Sequence, residues 1–300
     1  MSFSFWFKST RPWSLPASTM PVVLSAAYLF YDQEMEWTIV HWWFLPFVLI
    51  AVICCHLGLN MISDFYDFKL GVDNENSLGY KSPLVKNEVD AEKWSAVALG
   101  ILAVGALVGM ILFAFSRWQL LWIGGIGVFA GYLYSCFFKK HAMGDLLIFV
   151  LFGLLIVQGT FYTLTSDLSL IAVFLAIPIG FITVCILHAN NTRDIAYDSK
   201  VNFRSQAAVL GFRNAQWQYA LLIFGAYLAV ILMVVFTILP IWSLLVLFTL
   251  PIALANVRAM FKASKDNLEP IMFLDEATAK LQLAFTLSLS LGLFITALFA

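Results

Sequence analysis

The chain has 300 residues, 62% of them hydrophobic and 12% charged, with a mean hydropathy of +0.89. That composition excludes a soluble globular protein and a disordered one. A net charge of -1 offers no basic face for phosphate backbones and argues against nucleic acid as a partner.

A membrane-crossing helix needs about 20 mostly apolar residues. In chain order, such runs predict nine spans at 14–31, 41–61, 95–115, 118–137, 144–165, 168–189, 216–236, 239–257 and 279–299. Pro16, Pro21 and Pro251 interrupt the first and eighth, which membrane helices tolerate where neighbours satisfy the freed carbonyls. No cleavable leader is expected, because residues 1–10 carry one lysine and no small-residue cleavage site follows the first apolar run.

The basic residues test this count. Lys8, Arg11, Lys69, Lys81, Lys86, Lys93, Lys139, Lys140, Arg193, Lys200, Arg204, Arg213, Arg258, Lys262, Lys265 and Lys280 fall on one side, and Arg117 alone on the other. The positive-inside rule makes the first side cytoplasmic, with the N-terminus inside and the C-terminus outside. Cytoplasmic active-site loops are then expected at about 62–94, 138–143, 190–215 and 258–279 of a single polytopic domain covering 1–300. Cys54, Cys55, Cys136 and Cys185 form no CxxC pair and read as small buried hydrophobes.

Two polar ladders follow apolar runs on this cytoplasmic side. Asn60, Asp64 and Asp67 stand at i, i+4 and i+7; Asn190, Asp194 and Asp198 stand at i, i+4 and i+8. Helical spacing stacks each set along one face. Carboxylates at membrane depth are costly and mark function. The ladders end spans 2 and 6, an even offset that gives both one orientation and hints at a parallel repeat.

Oxygen ligands in this number suit a hard divalent cation, magnesium carrying a phosphate. Asp64 and Asp67 would be ligands in one cluster and Asp194 and Asp198 in the other, with Asn60, Asn190 and Asn191 supplying amide groups. Lys69, Arg193, Lys139, Lys140, Lys200 and Arg204 are the cations expected to hold the remaining phosphate oxygens. Ionisation of an isoprenoid diphosphate leaves an allylic cation that aromatic faces stabilise; Tyr134, Phe161, Tyr162 and Tyr197 are candidates. His56 and His188 read as helix-packing hydrogen bonders. An ion-coupled transporter is the rival from another class, although its polar groups are expected near the bilayer midplane and in inverted repeats.

These residues resemble the UbiA superfamily of intramembrane aromatic prenyltransferases. The common NDxxDxxxD motif is altered here, with Met61 at its first Asp and Phe68 at its last. The string Asn60-xxx-Asp64-Phe65-x-Asp67-xxx-Gly71-x-Asp73 is similar to the 1,4-dihydroxy-2-naphthoate polyprenyltransferases of menaquinone synthesis. Arg11-Pro-Trp-Ser-Leu-Pro16, Gly131-Tyr-Leu-Tyr134 with Gly144-Asp145, and Asn190-Asn-x-Arg-Asp194-xxx-Asp198 agree. After Asp198, relatives carry Gly-Lys-x-Thr-Leu-Ala where this chain has Val201-Asn-Phe-Arg204.

The resemblance implies a nine-helix all-α bundle in the bacterial inner membrane, with its active site facing the cytoplasm. It also implies magnesium-dependent transfer of a polyprenyl group from its diphosphate to 1,4-dihydroxy-2-naphthoate, releasing carbon dioxide and forming demethylmenaquinone. Another aromatic acceptor, 4-hydroxybenzoate or a homogentisate-type ring, is the nearest alternative. Arg11, Lys69 and Lys139 are candidates for the acceptor's carboxylate.

Overall fold

Each predicted span falls on helix, and the described residues contain no strand. The computed structural model describes residues 2–299 apart from 37–38, 76, 117, 139–140 and 202–203, and apart from the side chains of Glu36, Cys136 and Val201. Helix α1 (Phe3–Ser9) is capped by Ser2, whose hydroxyl accepts from the Phe5 amide at 3.2 Å. A tight turn, Pro12–Ser14, leads into α2 (Pro16–Glu36); it is entered through Arg11, held at φ +57°. Then follow α3 (Leu45–Lys69), α4 (Ala91–Ala114) and α5 (Gln119–Cys136).

Helix α6 (Gly144–Ile148) widens into a π-helical stretch at Phe149–Leu155 and resumes as α7 (Ile156–Thr165). The chain continues through α8 (Leu170–Asp198), the short α9 (Gln206–Leu210) and α10 (Phe212–Val235). A 3-10 segment at Ile241–Thr249 runs into α11 (Leu250–Lys262), and α12 (Leu274–Phe299) closes the bundle.

Seven helical segments among the described residues are long and apolar enough to cross a membrane: Trp42–Lys69, Ala91–Ala114, Gly144–Thr165, Leu170–Asp198, Phe212–Val235, Ile241–Lys262 and Glu269–Phe299. The other two predicted spans coincide with α2, whose last turns carry Asp32, Glu34 and Glu36, and with the 18-residue α5. One boundary expectation is corrected. The first residues of the supposed loops 62–94 and 190–215 are helical, because α3 runs on to Lys69 and α8 to Asp198. Both ladders are therefore rigid helical faces.

A large core unites α2, α7, α8, α10, α11 and α12 through Leu24, Phe161, Leu175, Ile179, Tyr219, Tyr227 and Phe285. A second joins α3 and α4 around Met61, Trp94 and Leu102. Small residues allow that close approach: a methyl group on Gly58 would stand 2.8 Å from the Leu102 amide, and one on Gly105 would stand 2.8 Å from Cys55 Sγ. Trp94 ties the pair by donating its indole N–H to the Met61 carbonyl at 2.8 Å. Leu99, Leu107, Leu221 and Leu228 are exposed on the outer faces of α4 and α10, as lipid contact requires.

Candidate active site

The ends of α3 and α8 meet across a small acidic cavity of about 60 Å³. Asp67 comes from the first ladder, and Asn190, Asp194 and Asp198 come from the second. Asp73 in the loop after α3, Asn191 and Tyr197 on α8, and Asp275 at the start of α12 line it too. The loop is tied to α8 where the Asn74 amide donates to the Tyr197 hydroxyl. Asp67 accepts from Ser63 at 3.4 Å, one turn back on its own helix.

Two guanidinium groups face these five carboxylates, Arg11 and Arg193. Arg193 is buried and fully engaged. Its Nε and Nη2 donate to the two oxygens of Asp194, each at 2.8 Å, and Nη2 also donates to Asn190 Oδ1. Its Nη1 donates to the Met272 carbonyl at 3.0 Å and lies 3.7 Å from Asp275. This fork holds the ladder on α8 to the start of α12.

Asp64 behaves differently from the expectation of a ligand level with Asp67. It is buried against Arg11, which donates to its Oδ1, and it lines neither cavity. Asp64 Oδ2 and Arg11 Nε are buried without hydrogen-bond partners. The Arg11 guanidinium also sits 4.6 Å above the Tyr80 ring, a cation–π contact. Burial raises the Tyr80 hydroxyl above its ordinary pKa, against the pull of the Arg11 charge and hydrogen bond. The protonated hydroxyl donates to the Ser9 carbonyl at 3.0 Å.

Beyond Arg11 lies a much larger cavity of about 720 Å³. Its walls are mostly apolar, from α3, α4, α5, the π-helical stretch and α7. Arg11, Trp13, Asn190 and Asp275 border both spaces, so the acidic cavity and the apolar one lie side by side. Asn60 and Tyr134 line the large cavity, as does Tyr132.

Several expected roles are corrected. Lys69 is exposed, its ammonium 5.8 Å from the Phe65 ring, and lines neither cavity. Lys200 and Arg204 are exposed and line neither; Arg204 instead accepts from the Ala142 amide through its backbone at 2.8 Å. Lys139 and Lys140 lie outside the described residues. Phe161 and Tyr162 are buried in the helix core, with the Tyr162 hydroxyl donating to Gln119 at 2.7 Å, and neither reaches the cavities. Two participants, Asp275 and Arg11 as the partner of Asp64, were missed. Asp275, beside Glu276 in the first turn of α12, reads as an ordinary dipole partner, and no spacing connects positions 11 and 64.

The donor set fits magnesium. The acidic groups that converge are hard oxygens, and among the described residues lining the cavity five carboxylates face two guanidinium groups. Asp64 Oδ2 adds a buried oxygen without a partner. Among the described residues no three His, Cys, Asp or Glu side chains already surround one point. Magnesium does not require such a cage, because it keeps waters and binds through one or two carboxylates plus substrate phosphates.

Known proteins share the sequence and fold of this chain. Across 95% of the chain and 78% of the relative, it is 30% identical to the Drosophila melanogaster UbiA prenyltransferase domain-containing protein 1 homolog. It is 26% identical to the 1,4-dihydroxy-2-naphthoate octaprenyltransferase of Bacillus subtilis, over 96% of the chain and 91% of that enzyme. A UbiA homolog from Aeropyrum pernix superposes with a TM-score of 0.65 at 16% identity, covering 90% of this chain and 97% of that one. A homolog from Archaeoglobus fulgidus bound to DMAPP and Mg2+ gives 0.58 at 14%, covering 94% and 98%. The UbiA prenyltransferase family pattern matches residues 19–299, and the chain belongs to that family as a multi-pass membrane prenyltransferase.

Proposed function

We propose that the chain transfers a polyprenyl group from polyprenyl diphosphate to 1,4-dihydroxy-2-naphthoate, with loss of carbon dioxide, to give the hydroquinone form of demethylmenaquinone. The observation that carries this reading is the adjacency of the acidic cavity and the 720 Å³ apolar one, which share Arg11, Trp13, Asn190 and Asp275. A molecule with a charged head and a long greasy tail matches that pair of spaces. The similarity to the Bacillus subtilis octaprenyltransferase supports the naphthoate as acceptor.

Asp67, Asp194 and Asp198, with Asp64 once Arg11 moves toward phosphate, would hold Mg2+. The A. fulgidus homolog bound to DMAPP and Mg2+ supports this assignment. When bound, magnesium supplies neutralising charge to the departing diphosphate. Arg11 binds phosphate oxygens as a guanidinium fork, Arg193 adds its charge from its place against Asp194 and Asn190, and Asn190 and Asn191 add amide donors. The apolar walls exclude water, and Tyr132, Tyr134 and Phe152 line the space where an allylic cation forms. The protein's contribution is positioning and electrostatic stabilisation.

Residues 1–300 act as one domain crossing a bacterial inner membrane nine times, with the site facing the cytoplasm. The distribution of 16 of 17 basic residues supports that orientation. The test is purified protein with Mg2+, geranylgeranyl diphosphate and a panel of aromatic acids, with products identified by mass. Prenylated naphthoquinol is expected; no product from any acid would refute the assignment.

A further inference from the structure

We propose that His56 is the base that takes the hydroxyl proton of the aromatic acceptor, whose seat is the polar corner formed by Ser14, Ser18, Asn60 and Phe152. The inference rests on the aromatic-acceptor chemistry proposed above. Those residues all line the apolar cavity next to Arg11, which borders both spaces.

The serine hydrogen bonds point to one tautomer. Ser14 donates its hydroxyl to the Arg11 carbonyl at 2.8 Å and accepts from Asn60 Nδ2 at 3.2 Å. Ser18 donates to the Leu15 carbonyl at 3.2 Å. With both hydroxyls so placed, we assign the ring proton to His56 Nδ1, 2.7 Å from Ser18 Oγ. Nε2, 3.3 Å from Ser14 Oγ, is then the acceptor face of the ring. The Phe152 edge, 5.1 Å away at 78°, fixes the ring.

A buried imidazole lone pair facing an apolar cavity is the arrangement a phenolic O–H completes. The charged groups that border the cavity are Arg11 from the N-terminal turn and Asp275 from α12, with Asp64 two turns along α3. Neutral groups face it from α2, α5, the π-helical stretch and α8: Ser18, Tyr134, Phe152 and Asn190.

The step balances. The prenyl C–O bond breaks with its electron pair leaving on diphosphate, and the ring carbon bearing the carboxylate supplies the pair for the new C–C bond. The adjacent hydroxyl becomes a carbonyl as its proton moves to Nε2. Loss of carbon dioxide returns a pair to the ring through that carbonyl, whose oxygen takes the proton back. His56 thus shuttles one proton without net change.

The experiment uses the full chain with Mg2+, geranylgeranyl diphosphate and 1,4-dihydroxy-2-naphthoate. His56→Asn keeps an amide donor where Nδ1 stood and lacks the Nε2 base. It should cut prenylated product about 100-fold, the scale of general-base catalysis, while acceptor-independent release of diphosphate stays within about twofold. Ser18→Ala, which only loosens the ring, should lose about tenfold or less, with the same ratio of product to released diphosphate as wild type.

Full activity in His56→Asn, or equal loss of both half-reactions, would overturn the proposal. A wild type that prenylates 4-hydroxybenzoate and not the naphthoate would remove only the acceptor assignment, since the same comparison on that hydroxyl still decides His56.

Discussion

Gly79 rests on Arg193, and replacing it with alanine tests the guanidinium fork directly. The glycine sits at φ +68°, and an added Cβ would stand 2.5, 2.6 and 2.7 Å from Nη1, Cζ and Nη2 of Arg193. Gly71 is a matched control at φ +71° with nothing within 4 Å of its virtual Cβ. Both alanines meet the left-handed backbone penalty of about 1 kcal/mol. Gly79→Ala must also displace a side chain bound to Asp194 by two 2.8 Å hydrogen bonds. Losing one such charge-assisted bond costs about 2 kcal/mol. The expected totals are about 1 kcal/mol for Gly71→Ala and about 3 kcal/mol for Gly79→Ala. Thermal unfolding in detergent measures the difference, and KM for prenyl diphosphate should rise in Gly79→Ala alone. Equal destabilisation and equal KM in the two variants would refute the claim that Arg193 depends on this contact.

Other outcomes rest on the same contacts. Arg11→Ala strands the Asp64 carboxylate and should cost about 3–5 kcal/mol in unfolding experiments; Arg11→Ala with Asp64→Asn should recover much of it, and a double variant as weak as the single would oppose the buried-charge account. Asp64→Ala and Asp194→Ala should each abolish turnover at normal expression, whereas Asp32→Ala should be silent in the same assay. Chelation with EDTA should stop prenyl transfer and added Mg2+ restore it, so activity persisting in EDTA would end the metal assignment. Gly292→Ala pushes a methyl into the Trp242 carbonyl and to 2.8 Å from the Ser243 amide. It should lower stability by about 2 kcal/mol while activity per folded molecule stays unchanged.

Much of this architecture is legible because a bilayer imposes simple demands. Long apolar runs had to be helices, and the spacing of Asp67, Asp194 and Asp198 brought three carboxylates to one cavity. The helix ends were misread at Asp64 and Asp194 because polarity there suggested departure from the membrane, whereas the helices continue for a further turn or more. Of the cations near in sequence, Arg193 reaches the cavity and others do not. Lys69, Lys200 and Arg204 follow the ladders yet point outward, while Arg11 reaches Asp64 from 53 positions away. Asp275 and the His56 corner depend wholly on tertiary approach, which no period in the chain encodes.

The widened turn at Phe149–Leu155 has a consequence for how this chain can vary. Ahead of it, Asp145 meets His188 on α8, with Oδ2 2.7 Å from Nδ1; within it, Leu151, Phe152 and Leu155 turn to the apolar cavity, and Gly153 lies against Gly180. A π turn accommodates an extra residue in the helical count. The two faces are thus set out of phase by chain length, and no exchange of side chains can bring them back into step. Deleting one residue between 149 and 155 would rotate the helix before the turn by about 100° relative to the helix after it. Descendants of this sequence can retune the cavity by substitution, but they can re-aim it only by gaining or losing a residue there.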